Sequence, residues 1–280
     1  MNCRACNSNN LLFYFSSKGQ LGVNGNYDFY ICKDCKSLNL KANFKLNEIL
    51  KFYDENYPLF DIKRTWGRYY KFVELELKNV IIRRIKFLKK FINLKNLKVL
   101  DVGCGDGKFL EFLKKQYNCY VVGVDIVKLN ENIKIHNNIN EIIDENFDII
   151  TLWHYIEHDE NPIKTIEKCY NLLNKNGIIV IETPKFPSNG FKIFKNNWAG
   201  IHTPRHFTIF SKEGLFSLVK NFGIIHYSNF TSFDRFLLYG LTILEPKEKN
   251  FIIWLLLSLV FRPFLLFFND IHTIVVKKHV

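Results

Sequence analysis

Three sets of residues in this chain have types and spacings suited to chemistry. The first is Gly103, Gly105 and Gly107, glycines at alternate positions between Asp101 and Asp125. Glycines placed so closely let backbone approach a bound molecule, and a helix starting behind them offers unpaired N–H groups. Asp125 closes the next apolar run, where a carboxylate can accept hydrogen bonds from both hydroxyls of a ribose. The second set is Cys3, Cys6, Cys32 and Cys35, two Cys-x-x-Cys pairs. Each pair can present two thiolates to one tetrahedral zinc ion. The third set is His154, His158, His202 and His206, in two short stretches. A histidine titrates near neutral pH and can take a proton from an acceptor. His206 is the first candidate for that work and His154 the second. For any one of these histidines a purely structural hydrogen-bonding role competes.

The elements that position these sets are legible from hydrophobic pattern. Leu97 to Val102 is a short β-branched run cut off by glycine, which reads as a buried strand. Lys108 to Lys115 then starts a helix. Further strands are expected at Tyr120–Asp125, at Ile133–Ile135 (weakly), at Phe147–Trp153, at Ile178–Glu182 after an Asn176-Gly177 turn, and at Ile224–Phe230. A last strand, Ile271–Val276, is expected antiparallel at the sheet edge. The strand ending at Trp153 delivers His154 and Glu157 to the carboxyl edge, where open α/β sheets bind ligands. Asn161-Pro162 starts one helix, and Ser211 caps another over Lys212–Asn221. Residues 1–40 read as a small zinc ribbon, in which metal supplies the folding energy that so small a core lacks. Residues 41–95 read as a helical lead-in that packs on the sheet or covers the site. Residues 96–280 make up the main domain.

The loop spacing is G-x-G-x-G, not the G-x-G-x-x-G of dinucleotide-binding folds. With Asp101 before it and Asp125 after the second strand, it resembles the class I S-adenosylmethionine-dependent methyltransferases. The resemblance continues through Trp153-His154-Tyr155-Ile156-Glu157-His158, Asn161-Pro162, Asn176-Gly177 and Glu182-Thr183-Pro184. It reaches Trp198 and the His206-Phe207-Thr208-Ile209-Phe210-Ser211 segment, and covers roughly residues 95–230. It implies a Rossmann-like α/β fold with a seven-stranded sheet whose last strand is antiparallel. It further implies S-adenosylmethionine held by Asp101, Gly103, Cys104, Gly105, Gly107, Asp125, Trp153 and His154. The subfamily modifies sugars, lipids and secondary metabolites. The cysteine pairs are similar to the zinc-binding domain of sugar C-methyltransferases, whose longer C-terminal domain has no match here. The implied acceptor is a hydroxyl or carbon of a glycan, sugar nucleotide or lipid-linked intermediate, and zinc is structural.

Composition bounds the partners. The chain of 280 residues is 48% hydrophobic, enough for a full core, and carries a formal charge of +12. Its basic residues are dispersed, and no N-P-P-Y base pocket follows the fourth strand, so nucleic acid is not expected as a partner. The alternative class is an RNA methyltransferase that uses the ribbon and the basic surface, or a scaffold that only keeps the fold. The N-terminus opens polar, and paired cysteines without an export signal favour metal in a reducing cytoplasm. Residues 251–268 are nearly continuous apolar sequence interrupted by Arg262 and Pro263, inside a hydrophobic insertion over 231–270. Because strands flank it on both sides, this segment is expected to dip into one leaflet or to form a homodimer surface. An internal cover for the core is the competing reading.

Overall fold

The computed structural model describes residues 1–42, 44, 48, 51–53, 61–126, 130–143, 145–230, 247–253, 255, 256 and 269–278. In chain order the ribbon strands come first: β1 (Leu11–Lys18), β2 (Asn26–Cys32) and β3 (Leu38–Leu40). The lead-in supplies α1 (Ile62–Trp66) and α2 (Tyr70–Leu88). Then follow β4 (Lys98–Val102), α3 (Lys108–Tyr117), β5 (Tyr120–Val124), β6 (Lys134–His136), β7 (Phe147–Trp153) and α4 (Pro162–Asn171). The last part is β8 (Leu173–Pro184), α5 (Asn189–Phe194), β9 (Thr208–Ile209), α6 (Lys212–Leu218), β10 (Gly223–Phe230) and β11 (Ile271–Lys277).

The seven-stranded sheet runs β10-β11-β8-β7-β4-β5-β6. The strands from β8 to β6 are parallel, as expected for helices crossing over both faces. β11 is antiparallel to both its neighbours, β8 and β10. The expectation of β11 at the edge is therefore corrected. It lies inside the sheet, every residue from Ile271 to Val276 is buried, and β10 forms the edge. The physical reason is that it pairs on both edges, with β8 and β10, and is covered on both faces.

β8 also differs from expectation. It starts at Leu173, before the expected Asn176-Gly177 turn, and runs through it. Asn176 takes φ 62°, and the pairing register with β7 shifts between Phe147 and Ile149. The residues that read as a turn form an irregularity that the strand absorbs. The cap at Ser211 is as expected, its Oγ accepting from Gly214 N at 2.8 Å, though the helix ends at Leu218.

The lead-in packs on one face of the sheet. Ile85 and Leu88 of α2 join Val99, Phe109, Leu113, Ile149 and Trp153 in a buried cluster. The ribbon is stitched to the rest. β3 pairs antiparallel with β9, Leu38 opposite Ile209 and Asn39 opposite Thr208, so a second sheet runs β1-β2-β3-β9. Arg4 adds hydrogen bonds to Leu40 O and Phe207 O. Most of the expected insertion over 231–270, including 257–268, lies outside the described residues. Within it Phe251 packs on Trp66, Tyr69 and Phe72. Among the described residues no helix is long and apolar enough to cross a membrane.

Candidate functional site

The glycine loop sits where β4 ends. Gly103, Gly105 and Gly107 all take left-handed φ, 79°, 53° and 68°, which a side chain would strain. The N–H groups of Gly103 and Cys104 both donate to Val124 O at 2.7 and 3.1 Å, tying the loop to β5. Gly105 N donates to Asp125 Oδ2 at 2.8 Å. A Cβ on Gly103 would lie 2.5 Å from the Tyr155 ring, whereas one on Gly105 would meet open space. Gly105 therefore faces a cleft of about 580 Å³, lined also by Ile62, Tyr70, Asp106, Glu111 and Asn130. Gly107 caps α3 without a side-chain hydrogen bond. The loop has the form of a cradle: backbone donors, an open glycine face and a carboxylate at the next strand end.

Asp101 lies beneath the loop, 3% exposed, and accepts from Thr151 Oγ1 at 2.6 Å. Burial pushes its carboxyl up to about 7, against the opposing pull of Thr151 and Arg84. Cys104 points its sulfur back at Gly123, where an added Cβ would sit 2.5 Å from Sγ. Its side chain packs, and burial pushes the thiol up. Trp153 also turns into the core, edge-on to Phe109 with the Arg84 guanidinium 4.8 Å from its ring.

His154 ends β7 with φ 55°, a left-handed backbone uncommon outside glycine. Its ring lies between two carboxylates, Nδ1 3.4 Å from Glu157 Oε1 and Nε2 3.3 Å from Glu182 Oε1. Burial alone would depress this imidazole, but hydrogen bonds and charge from Glu157 and Glu182 outweigh it and raise it to about 10. His154 is thus a cation at neutral pH. Glu157, fully buried, also accepts from Thr183 Oγ1 at 2.9 Å, and Glu182 lies 3.8 Å from Arg84.

The other three histidines come together. One ring nitrogen from each of His158, His202 and His206 lies within 4.8 Å of the others. Their meeting depends on a backbone hydrogen bond from Phe207 N to Glu157 O at 2.8 Å. Burial lowers all three imidazoles; His206 and Arg205 add to this at His202, and His158 at His206, while Glu157 opposes it at His158. The four-histidine set of the sequence is therefore split, with His154 between its carboxylates and the other three rings grouped beside it.

The four cysteines also meet, with Cys3 Sγ 3.5 Å from Cys35 Sγ and Cys6 Sγ 3.7 Å from Cys32 Sγ. All four sulfurs lie within 4.8 Å of one another. Zn–S bonds of about 2.3 Å at tetrahedral angles separate sulfurs by about 3.8 Å, so the donor set fits zinc without rearrangement. Sequence reasoning missed Ile62 and Asn130. They come from the lead-in and from a polar loop, and no residue pattern marks them.

A family model of the methyltransferase domain matches residues 72–224, more than half of the chain. The chain belongs to the methyltransferase domain family. The ubiquinone biosynthesis O-methyltransferase of Coxiella burnetii is 34% identical over 158 residues, 51% of this chain and 64% of that protein. The enzyme of the same name from Neisseria meningitidis serogroup C is 25% identical over 117 residues, 36% of this chain and 49% of that protein. The chain thus spans 49% and 64% of the length of these curated relatives. Among solved structures, coclaurine N-methyltransferase bound to N-methylheliamine and S-adenosylhomocysteine superposes with a TM-score of 0.51. It is 16% identical, with 78% of this chain and 80% of that one covered. A SAM-dependent methyltransferase from Archaeoglobus fulgidus gives 0.50 at 23% identity, covering 76% of this chain and 100% of that one. These structural likenesses establish the fold.

Proposed function

We propose that this protein is an S-adenosylmethionine-dependent methyltransferase acting on a hydroxyl group of a lipid-linked or glycan intermediate. One observation carries the activity: a loop of three left-handed glycines turns Gly105 to a cleft, with Asp125 at the next strand end, inside a chain of the methyltransferase domain family. Asp125 takes the ribose hydroxyls, the loop and the N-terminus of α3 hold the amino-acid portion, and Asp101 fixes the loop from below. Cys104 contributes backbone, and Trp153 and His154 contribute the end of β7, next to β4 in the sheet. The cofactor supplies a sulfonium methyl group for in-line displacement.

A hydroxyl acceptor is supported by the relatives' names as O-methyltransferases. A lipid-linked one is supported by exposed Phe72, Leu75, Ile252, Ile253 and Leu256, which also suit work at the inner face of a membrane. The histidine trio forms the acceptor side, where His206 handles the acceptor's proton. His154, held as a cation, positions the buried carboxylates and the end of β7. Residues 1–40 serve as a structural zinc ribbon on Cys3, Cys6, Cys32 and Cys35, residues 41–95 as a cap, and residues 96–280 as the methyltransferase domain.

Calorimetric titration with S-adenosylhomocysteine tests the activity class. Micromolar binding, weakened at least tenfold in Asp125→Ala, is expected; binding of NAD instead would overturn the reading of the loop.

A further inference from the structure

We propose that His158, His202 and His206 form a binding site for a divalent transition-metal ion of the zinc class, separate from the cysteine site. The inference rests on the reading of this face as the acceptor side, but its test does not need activity.

The argument begins with the rings. Their centroids lie 4.5 Å apart for His158–His206, 4.9 Å for His202–His206 and 6.0 Å for His158–His202. The interplanar angles are 81°, 85° and 84°, so the three imidazoles are mutually near-perpendicular. Three imidazoles on one tetrahedral ion, with Zn–N bonds of about 2.0–2.1 Å, would place their centroids about 5 Å apart. The trio matches that spacing. One nitrogen from each ring lies within 4.8 Å of the others, which suits a shared ion.

The protonation pattern also fits. His206 Nδ1 lies 2.9 Å from Gly200 O, and His158 Nδ1 lies 3.0 Å from Arg205 O. A carbonyl can only accept, so both Nδ1 atoms carry the proton and both Nε2 atoms keep a lone pair. A ring N–H held by a backbone carbonyl is the arrangement that orients metal-binding histidines. The Tyr53 hydroxyl oxygen, 2.8 Å from the same His158 Nδ1, shares that N–H as a second acceptor.

Charge around the trio is mixed: His154 and Arg205 are positive neighbours, and Arg205 spends its guanidinium on the carbonyls of Phe52, Gln20 and Leu21 at 2.8, 3.0 and 3.2 Å. Buried Glu157, next to His158 in the chain, brings negative charge nearby. His158 and His202 remain half-buried while His206 is buried, and three imidazoles leave the fourth position of a tetrahedral ion to another ligand. Three protein ligands with an open fourth position is the pattern of a reactive site, unlike the closed cysteine set. All-imidazole donors select zinc, cobalt, nickel or copper over magnesium and calcium. In its open position the ion would bind the acceptor's hydroxyl oxygen. The O–H bond breaks, the proton passes to water, and the electron pair stays on the oxygen that attacks the methyl group. The lowered hydroxyl pKa then does what His206 alone would otherwise do.

Cobalt distinguishes the two sites in the whole, untagged protein. Metal-free protein is titrated with Co²⁺ and followed by absorption. Thiolate-to-cobalt charge-transfer bands report the cysteines, and ligand-field bands that grow after those bands saturate report the imidazoles. The expected result is one ion on the thiolates and a further ion without charge-transfer absorption. The further ion should be lost in His202→Ala and in His206→Gln while the thiolate bands stay. In the wild type, zinc should also protect His202 from diethyl pyrocarbonate, read by mass spectrometry, which requires no variant to fold. Saturation at the thiolate ion alone, with His202 modified equally with and without zinc, would overturn the proposal. Binding of S-adenosylhomocysteine, measured on the same samples, keeps the outcomes apart: its loss with both ions bound would count against the methyltransferase reading alone.

Discussion

At the scale of single residues, buried charge organises this site. His154 is wedged between Glu157 and Glu182, and neither carboxylate has solvent to fall back on. Removing the imidazolium leaves Glu157 without a counter-charge and Glu182 with Arg84 alone, a loss of about 3–5 kcal/mol by analogy with broken buried pairs. We expect His154→Leu to lower the urea midpoint accordingly, with a smaller loss when Glu157→Gln is added. If His154→Leu left stability within experimental error, His154 would not be the counter-charge described here. Asp101 gives a second prediction at this scale. Its carboxyl is raised to about 7 from 3.8 by burial, so the folded state holds a proton that the unfolded state releases. Its favourable contribution is full below about pH 4 and is lost as pH rises through 7. Asp101→Asn should flatten that part of the stability-versus-pH curve; equal slopes for wild type and variant would contradict it.

At the scale of elements, the sequence was informative where backbone geometry depends on residue type and silent where it depends on partners. The cradle was legible because alternate glycines after an apolar run have few uses, and Asp125 marks the end of β5. The cysteine set was legible because its spacing encodes its geometry. The grouping of the histidines was not. His158 and His206 lie 48 positions apart, and their segments meet through hydrogen bonds such as Phe207 N to Glu157 O and His158 Nδ1 to Arg205 O, which no sequence pattern announces. The place of β11 inside the sheet was hidden for the same reason, because strand order is a property of pairing. Gly103 and Gly105 permit an elemental test. Both take left-handed φ, but a methyl group at Gly103 runs into Tyr155 and one at Gly105 meets open space. Gly103→Ala should cost more stability than Gly105→Ala, while Gly105→Ala should cost more cofactor affinity, since its methyl group occupies the cleft. Thermal melts and calorimetry on both variants would check this; the reverse order would mean the cleft lies elsewhere.

At the scale of the whole molecule, the cysteine-bearing strands and the segment carrying His202 and His206 are one mechanical unit. β3 follows directly on the second cysteine pair and hydrogen-bonds to β9, which begins two residues after His206. The junction is reinforced by Ser37, whose Oγ accepts from Ser211 N at 3.0 Å, and by a hydrogen bond from Ser211 Oγ to Cys35 O. A ribbon of this size has little core of its own, so the ion on its thiolates would supply much of its folding energy. Zinc removal is therefore expected to loosen more than residues 1–40. Because β9 would lose its pairing partner, amide exchange should rise at Thr208 and Ile209 and back through His202–His206. β4 and β5, on the far side of β7, should keep their protection and S-adenosylhomocysteine should still bind. Hydrogen exchange with and without a thiolate-selective chelator reads all of these regions at once. Exchange confined to the ribbon would show that β9 stands without it. Exchange spreading through β4 would show that the ribbon supports the whole domain, not the acceptor side alone.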